Sequence, residues 1–209
     1  MLRILIADDH TVVRKGLKQI LLDEFPAAVI EEVPDAEELI KKVMSAKWDV
    51  VISDLSMPGR SGLDALQQIK LSYPNLPVLI LSIHPEEQYA LRAIKSGASG
   101  YLSKDAAPDE LVKAVEKVLL GKKYISESIA EKLANTFSYD TSLQPHDNLS
   151  DREFDVMKLL ANGKSVSEIA ERLSLSVTTV STYRARVMTK MNLKSNSDLT
   201  KYAIENKLL

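Results

Sequence analysis

Five polar residues of this 209-residue chain have types and an order that could do chemistry together: the acid pair Asp8-Asp9, a third acid at Asp54, a hydroxyl at Ser82 and an ammonium at Lys104. Each follows closely on a short apolar run, so each would stand at or just beyond a strand end. Three carboxylates brought to one place repel one another unless a divalent cation or a proton intervenes. Hard oxygen donors suit Mg²⁺, which also partners phosphoryl oxygens. Lys104 would add a compact positive charge and Ser82 a hydrogen-bond donor. That set suits phosphoryl transfer to a carboxylate: metal ion and lysine neutralise the equatorial oxygens while an aspartate attacks. A single aspartate at a strand end is more often a turn or helix cap, and Asp8-Asp9 could cap a helix beginning near Thr11. Capping does not account for all five groups together.

The elements that must position them can be read from two alternating periods. Apolar runs at Ile4–Ala7, Val29–Val33, Val50–Ser53, Val78–Leu81 and Tyr101–Leu102 are nearly continuous and rich in β-branched residues, as strands buried on both faces are. Between them lie helical stripes: Val12, Val13, Leu17, Ile20 and Leu21; Leu39, Ile40, Val43 and Met44; Leu63, Leu66, Ile69 and Lys70; Leu91, Ala93 and Ile94; Leu111, Val115, Val118 and Leu119. Five strands alternating with five helices predict an α/β doubly wound, five-stranded parallel sheet. Ligands of such sheets bind beyond the carboxyl ends of the strands, where these five residues fall.

Gly121 ends this unit, so the first domain is expected over 1–121. A short helix is expected at roughly Ser126–Asn135, and polar Thr136–Asn148, with Pro145, reads as linker, giving 122–148 as a connecting segment. Residues 149–209 read as all helix, with breaks at Asn162-Gly163, Ser174–Ser176 and Asn192–Asn196.

The net charge of −2 conceals an asymmetry: residues 1–148 carry 17 basic and 22 acidic side chains, residues 149–209 carry 10 and 7. The smaller part is the one suited to a polyanion, although the excess is small. Cysteine is absent, which excludes disulfides, thiolate nucleophiles and cysteine metal sites. The opening Met1–Asp9 has too short an apolar run for a signal peptide, and no run of about 18 apolar residues occurs, so a cytoplasmic protein with no membrane partner is expected. His10, His84 and His146 share no metal-ligand spacing and are read as incidental; Trp48 is read as packing.

Asp8-Asp9, the run Asp54-Leu55-Ser56-Met57-Pro58-Gly59, Ser82 and Tyr101-Leu102-Ser103-Lys104 resemble the receiver domain of two-component response regulators. The resemblance implies that Asp54 is the phospho-acceptor. It implies that Asp9, Asp54 and the Ser56 backbone carbonyl hold Mg²⁺, with Asp8 assisting through water. It implies that Ser82 moves to meet the phosphoryl group and that Tyr101 turns inward with it. Asp105 departs from the pattern, standing where many receivers have proline.

In the C-terminal part, Val166, Ile169, Ala170 and Leu173 form one inward stripe and Val177, Val180, Tyr183, Val187 and Met191 another, separated by a tight break at Ser174-Leu175-Ser176. The second helix shows an outward face of Thr178, Thr179, Ser181, Thr182, Arg184, Ala185 and Arg186, polar and basic with short side chains near its start. A helix-turn-helix needs such a face, since its second helix enters the major groove of DNA. Leu149–Glu153, Ile169–Leu173 and Thr179–Tyr183 resemble the LuxR-type four-helix DNA-binding domain, and together with a receiver they resemble the NarL/FixJ class. Many members carry lysine where Ser181 stands and histidine where Tyr183 stands; the Ser-Thr-Tyr version resembles a virulence-regulator subgroup. Lys190 and Lys194 are expected to reach flanking phosphates along with the two arginines.

A phosphorylation-gated transcription factor is therefore expected, not an enzyme beyond its own phosphorylation and dephosphorylation. Its expected partners are a sensor histidine kinase or phosphotransfer protein, double-stranded DNA, and a second copy once phosphorylated. A Mg²⁺-dependent phosphohydrolase would need a second aspartate two positions after Asp54, where Ser56 stands. A phospho-switch whose helical tail binds only protein remains the third reading.

Overall fold

The computed structural model describes residues 1–127, 129–131 and 144–209. The chain divides into two compact units, Met1–Tyr139 and Asp140–Leu209. Half of the expected short helix at Ser126–Asn135 and most of the linker Thr136–Asn148 lie outside the described residues; within the described part, Ala130 N–H donates to Ser126 O at 3.0 Å.

In the first unit strands and helices alternate as the two periods require: β1 (Arg3–Ala7), α1 (Thr11–Glu24), β2 (Val29–Val33), α2 (Ala36–Ser45), β3 (Val50–Asp54), α3 (Gly62–Ser72), β4 (Val78–Ser82), α4 (Glu86–Lys95), β5 (Gly100–Ser103) and α5 (Ala107–Leu119). The strands form one sheet in the order β2-β1-β3-β4-β5, and every pairing is parallel. β3 and β4 are buried throughout, which is why they are apolar, apart from Ser53, until they deliver Asp54 and Ser82. Edge strand β2 is different and carries Glu31 and Glu32. Successive side chains point to opposite faces of a strand. Glu32 accordingly meets Lys18 of α1 at 3.0 Å, and Glu31 meets Lys42 of α2 at 2.6 Å.

Four residues placed on inward stripes are instead exposed. Val12 is 84 % exposed because, at 3.6 residues per turn, it stands roughly 140° from the buried Leu17 direction. Met44 and Leu119 stand at the C-terminal ends of their helices and Val177 is the first residue of its own, and all three are exposed.

Among the described residues of the second unit, a 3₁₀ turn, Pro145–Asn148, is followed by α6 (Asp151–Ala161), α7 (Val166–Arg172), α8 (Val177–Met191) and α9 (Asn196–Glu205). Each helix starts on a serine whose hydroxyl accepts an amide hydrogen from three residues on: Ser150, Ser165, Ser176 and Ser195. In all but α8 an acidic side chain completes the box. Phe154, Val156, Met157, Ile169, Val180, Val187, Leu199 and Ala203 form the buried core. Ser174, at φ 54°, makes the left-handed turn that ends α7, and Leu175 N–H donates to Ala170 O at 2.8 Å.

Candidate functional site

At the C-terminal edge of the sheet, β1 hands the chain to Asp8, β3 ends on Asp54, β4 ends on Ser82, and Lys104 follows β5. Asp8, Asp54 and Ser82 are all buried. Lys104 Nζ stands 2.8 Å from Asp54 Oδ2 and 2.6 Å from Asp8 Oδ2, so one ammonium bridges two buried carboxylates. Its backbone is fixed as well, for Lys104 N–H donates to Ser82 O at 2.9 Å and the Lys104–Asp105 peptide is trans. Asp54 Oδ1 accepts from Ser56 N–H at 3.3 Å.

Burial pushes the Asp54 carboxyl above its ordinary value, against the opposing pull of Lys104. Burial by itself would lower the Lys104 ammonium, but its contacts with Asp54 and Asp8 outweigh this and hold it above the usual lysine range. The site thus keeps a fixed cation beside a carboxylate that is more basic than one in water. That pairing favours attack on a phosphorus atom.

Donor atoms of Asp8, Asp9, His10 and Asp54 lie within 4.8 Å of one another. Asp8 Oδ2 and Asp9 Oδ1 are shielded from solvent, and each faces a single nitrogen, Lys104 Nζ at 2.6 Å and His10 Nδ1 at 2.8 Å. Clustered, shielded carboxylate oxygens are the donors a hard divalent cation takes, so the residues present fit Mg²⁺.

Ser82 Oγ accepts from His84 N–H at 2.9 Å, which leaves the hydroxyl hydrogen for another acceptor. Tyr101 is 3 % exposed, and its hydroxyl donates to His84 O at 2.9 Å. Its ring is therefore already inward, and inwardness alone does not require a phosphoryl group. His84 is not incidental: Nε2 lies 2.9 Å from Ser56 Oγ and the ring stacks on Tyr89 at 4.8 Å. His10 also belongs to the cluster, with Nδ1 2.8 Å from Asp9 Oδ1. His146 serves the second unit, where Nδ1 meets Tyr202 Oη at 2.8 Å.

On α8 the expected outward residues separate into two groups. Thr178, Ser181, Thr182, Ala185 and Arg186 are exposed, as is Lys194 beyond the helix. Thr179 is half-buried, with its hydroxyl 2.7 Å from Ser176 Oγ, so it belongs to the cap at the start of the helix. Lys190 Nζ is 2.6 Å from Glu153 Oε2 and donates to Asn148 O at 3.3 Å. It is committed to holding α8 against α6. Arg184 is half-buried and donates from Nε to Asn196 Oδ1 at 3.1 Å.

Known families match both units. Residues 4–116 match the response regulator receiver domain, and residues 147–203 match the bacterial regulatory proteins of the luxR family. The oxygen regulatory protein NreC of Staphylococcus carnosus is 40 % identical over 215 residues, spanning 100 % of this chain and 99 % of NreC. The response regulator UvrY of Escherichia coli is 37 % identical over 209 residues, spanning 100 % of this chain and 96 % of UvrY. Among solved structures, RcsB from Salmonella enterica serovar Typhimurium, bound to promoter rprA with the phosphomimetic BeF₃⁻, aligns with a TM-score of 0.62 and 27 % identity over 97 % of this chain and 98 % of RcsB.

The chain is a response regulator of the NarL/FixJ class.

It joins a receiver to a LuxR-type DNA-binding domain, as its relatives in two-component transcription control do. The regulator also holds a residue that sequence reasoning overlooked. Gly62 N–H donates to Leu55 O at 2.9 Å, and a Cβ on Gly62 would stand 1.9 Å from the Asp54 carbonyl oxygen. Its signal in the sequence is its place directly before the apolar helical stripe that begins at Leu63.

Proposed function

We propose that Asp54 is the phosphoryl acceptor, and that its phosphorylation by a sensor histidine kinase or phosphotransfer protein controls DNA binding by α8. The observation that carries this is the Lys104 bridge to Asp54 and Asp8, a cation held at two buried carboxylates on the sheet edge where ligands bind. Asp9, Asp54 and the Ser56 carbonyl would hold Mg²⁺, with Asp8 acting through water. Bound there, the ion supplies charge neutralisation for phosphoryl oxygens.

An Asp54 carboxylate oxygen forms a bond to phosphorus as the bond from phosphorus to the donor's imidazole nitrogen breaks. The electron pair of that bond leaves with the imidazole. The Lys104 ammonium exchanges a carboxylate contact for a phosphoryl oxygen. Ser82 turns its hydroxyl hydrogen toward another phosphoryl oxygen, which alters the His84 N–H contact. Because Tyr101 hangs on His84 O, the same loop shift reaches the ring and the surface of α4, β5 and α5. The receiver performs only its own phosphorylation and dephosphorylation.

The proposed division is a receiver over 1–121, a connecting segment over 122–148 and a DNA-binding domain over 149–209. Thr178, Ser181, Thr182 and Ala185 would meet base edges, and Arg184, Arg186 and Lys194 the backbone or guanine edges. Phosphorylation yields a homodimer suited to paired half-sites. No helix among the described residues is long and apolar enough to cross a membrane, and the proposed location is the cytoplasm.

Footprinting on genomic DNA with and without a small-molecule phosphodonor tests this reading. Protection that strengthens with the donor in the wild type but not in Asp54→Asn is expected. Equal protection in all four samples overturns it.

A further inference from the structure

Arg184 and Arg186 sit two residues apart on α8, roughly 200° around the axis at 3.6 residues per turn. They therefore flank the outward face of Ser181, Thr182 and Ala185 from opposite margins. Their surroundings differ. Arg186 is exposed and makes no hydrogen bond or ion pair among the described residues. Arg184 is half-buried and tied through Nε to Asn196 Oδ1 at 3.1 Å.

Asn196 itself is firmly placed. It is the first residue of α9, directly after the cap Ser195, whose hydroxyl accepts from Asp198 N–H at 3.1 Å. Asp198 Oδ2 in turn accepts from Ser195 N–H at 3.0 Å and Lys194 N–H at 3.3 Å. The Asn196 carbonyl accepts from Thr200 Oγ1 at 3.1 Å, and the same hydroxyl reaches Ala161 O at 3.1 Å. Leu199 and Ala203 anchor the helix in the core. The Asn196 backbone is thus fixed at the start of a second helix, and its exposed side-chain amide is not the cap but meets Arg184.

A guanidinium has five N–H donors in one plane. With Nε–H engaged by Asn196, the four Nη hydrogens remain for other acceptors. We propose that Asn196 is a positioning residue that holds Arg184 for a two-pronged contact with DNA. This rests on the reading of α8 as the groove-facing helix. The acceptors it fits are a coplanar pair of guanine O6 and N7, or two oxygens of one phosphate. Arg186, unheld, supplies charge without direction. The uniform charge contribution expected of both arginines is thereby divided between them.

Immobilising a long side chain on binding costs a factor of about three to ten in affinity, and prior fixation removes that cost. The test uses the full-length protein, a duplex enriched from a random library by the wild type, and a random duplex, each titrated at several salt concentrations. Arg184→Ala is expected to weaken binding to the enriched duplex and to flatten the salt slope by about 0.9. Asn196→Ala keeps the charge, so it should weaken binding to the enriched duplex about threefold to tenfold with the slope unchanged. Arg184→Lys should be costly in the wild type and nearly free in the Asn196→Ala background, since lysine has no fork to orient. In the free protein, the Arg184 Nε–H resonance should shift or broaden in Asn196→Ala while the melting temperature stays close to wild type. Duplexes with 7-deazaguanine or methylphosphonate distinguish the acceptors, as the Arg184→Ala penalty should vanish on one of the two. Wild-type affinity in Asn196→Ala, an undiminished Arg184→Lys penalty in that background, or a penalty that persists on both modified duplexes overturns the proposal. If Arg184→Ala itself binds normally at every salt concentration, the groove-facing reading of α8 fails, and the proposal with it.

Discussion

Gly62 lies so close to Asp54 that a Cβ on the glycine would stand 1.9 Å from the Asp54 carbonyl oxygen and 2.9 Å from its carbonyl carbon. The same oxygen accepts from Ser53 Oγ at 3.1 Å. The start of α3 is thus pressed against the backbone of the proposed acceptor, and only a residue without a side chain permits that approach.

Gly62→Ala must move either α3 or the end of β3. The expected cost is about 1–3 kcal/mol of stability, as for other overpacked cores. Because the displaced atoms belong to Asp54, phosphorylation by a small-molecule donor should slow on the order of tenfold to a hundredfold. Chemical denaturation and a phosphorylation time course check the two parts. A variant that is destabilised but phosphorylates at the wild-type rate would show that the close approach serves packing alone.

Lys190 should behave as a structural residue. Glu153 is 3 % exposed at the side chain and depends on Lys190, so Lys190→Ala leaves a shielded carboxylate held by Ser150, whose N–H donates to it at 2.8 Å. The expected loss is on the order of 1–2 kcal/mol, below the usual cost of breaking a buried pair because Lys190 is 41 % exposed and water screens it. Arg186→Ala should do the reverse, keeping stability while weakening enriched and random DNA alike and flattening the salt slope. Thermal melts beside salt-dependent titrations separate the two behaviours.

The capping boxes predict a pH dependence with a definite sign. Hydrogen bonds from Ser165 N–H and its hydroxyl, with Lys164 nearby, lower the Glu168 carboxyl from 4.5 to about 2. Burial alone would raise Glu153, but Lys190 and the Ser150 amide outweigh it and hold that carboxyl below its ordinary value. A folded-state value below the unfolded one means the unfolded chain binds the proton first. The stabilisation is complete above the unfolded value near 4.5 and is lost as pH falls through the folded value. Glu168→Gln keeps the shape of the box without the charge. The gap in melting temperature between wild type and Glu168→Gln should therefore be constant near neutral pH and shrink as pH falls from about 5 toward 2. A gap that widens on acidification contradicts this.

The short hydroxyls of α8 should carry discrimination. Ser181 and Thr182 are exposed, and Thr182 Oγ1 spends its hydrogen on Thr178 O at 3.0 Å, leaving acceptor capacity outward. Ser181→Ala or Thr182→Ala should lose about 1–3 kcal/mol of preference at particular base pairs, with random-duplex binding near normal. Equal losses on both duplexes would mean that α8 lies differently in the groove.

What the sequence made legible was periodic or chemical. Alternating β and α periods located all five strands, and acids and a lysine at strand ends identified the sheet edge where Asp8, Asp54, Ser82 and Lys104 meet. What it hid depended on partners distant in the chain. Lys190 looked like a phosphate contact because Glu153, 37 positions earlier, is invisible to helix periodicity. Thr179 looked outward because its Ser176 contact is a property of the cap and not of the stripe. His84 looked incidental because its meaning comes from Ser56, 28 positions away, and from Tyr89 stacked beside it. Val12 and Val177 looked buried because apolar character was read without their angular position in the first turn.

The central claim, that Asp54 is the acceptor and the acidic edge serves it, meets its most direct test in the intact mass of the protein after treatment with a small acyl phosphate. The account predicts a gain of one phosphate in the wild type with Mg²⁺, little or none in chelator, and none in Asp54→Asn. A gain of one phosphate that survives Asp54→Asn, or that forms fully in chelator, would contradict it.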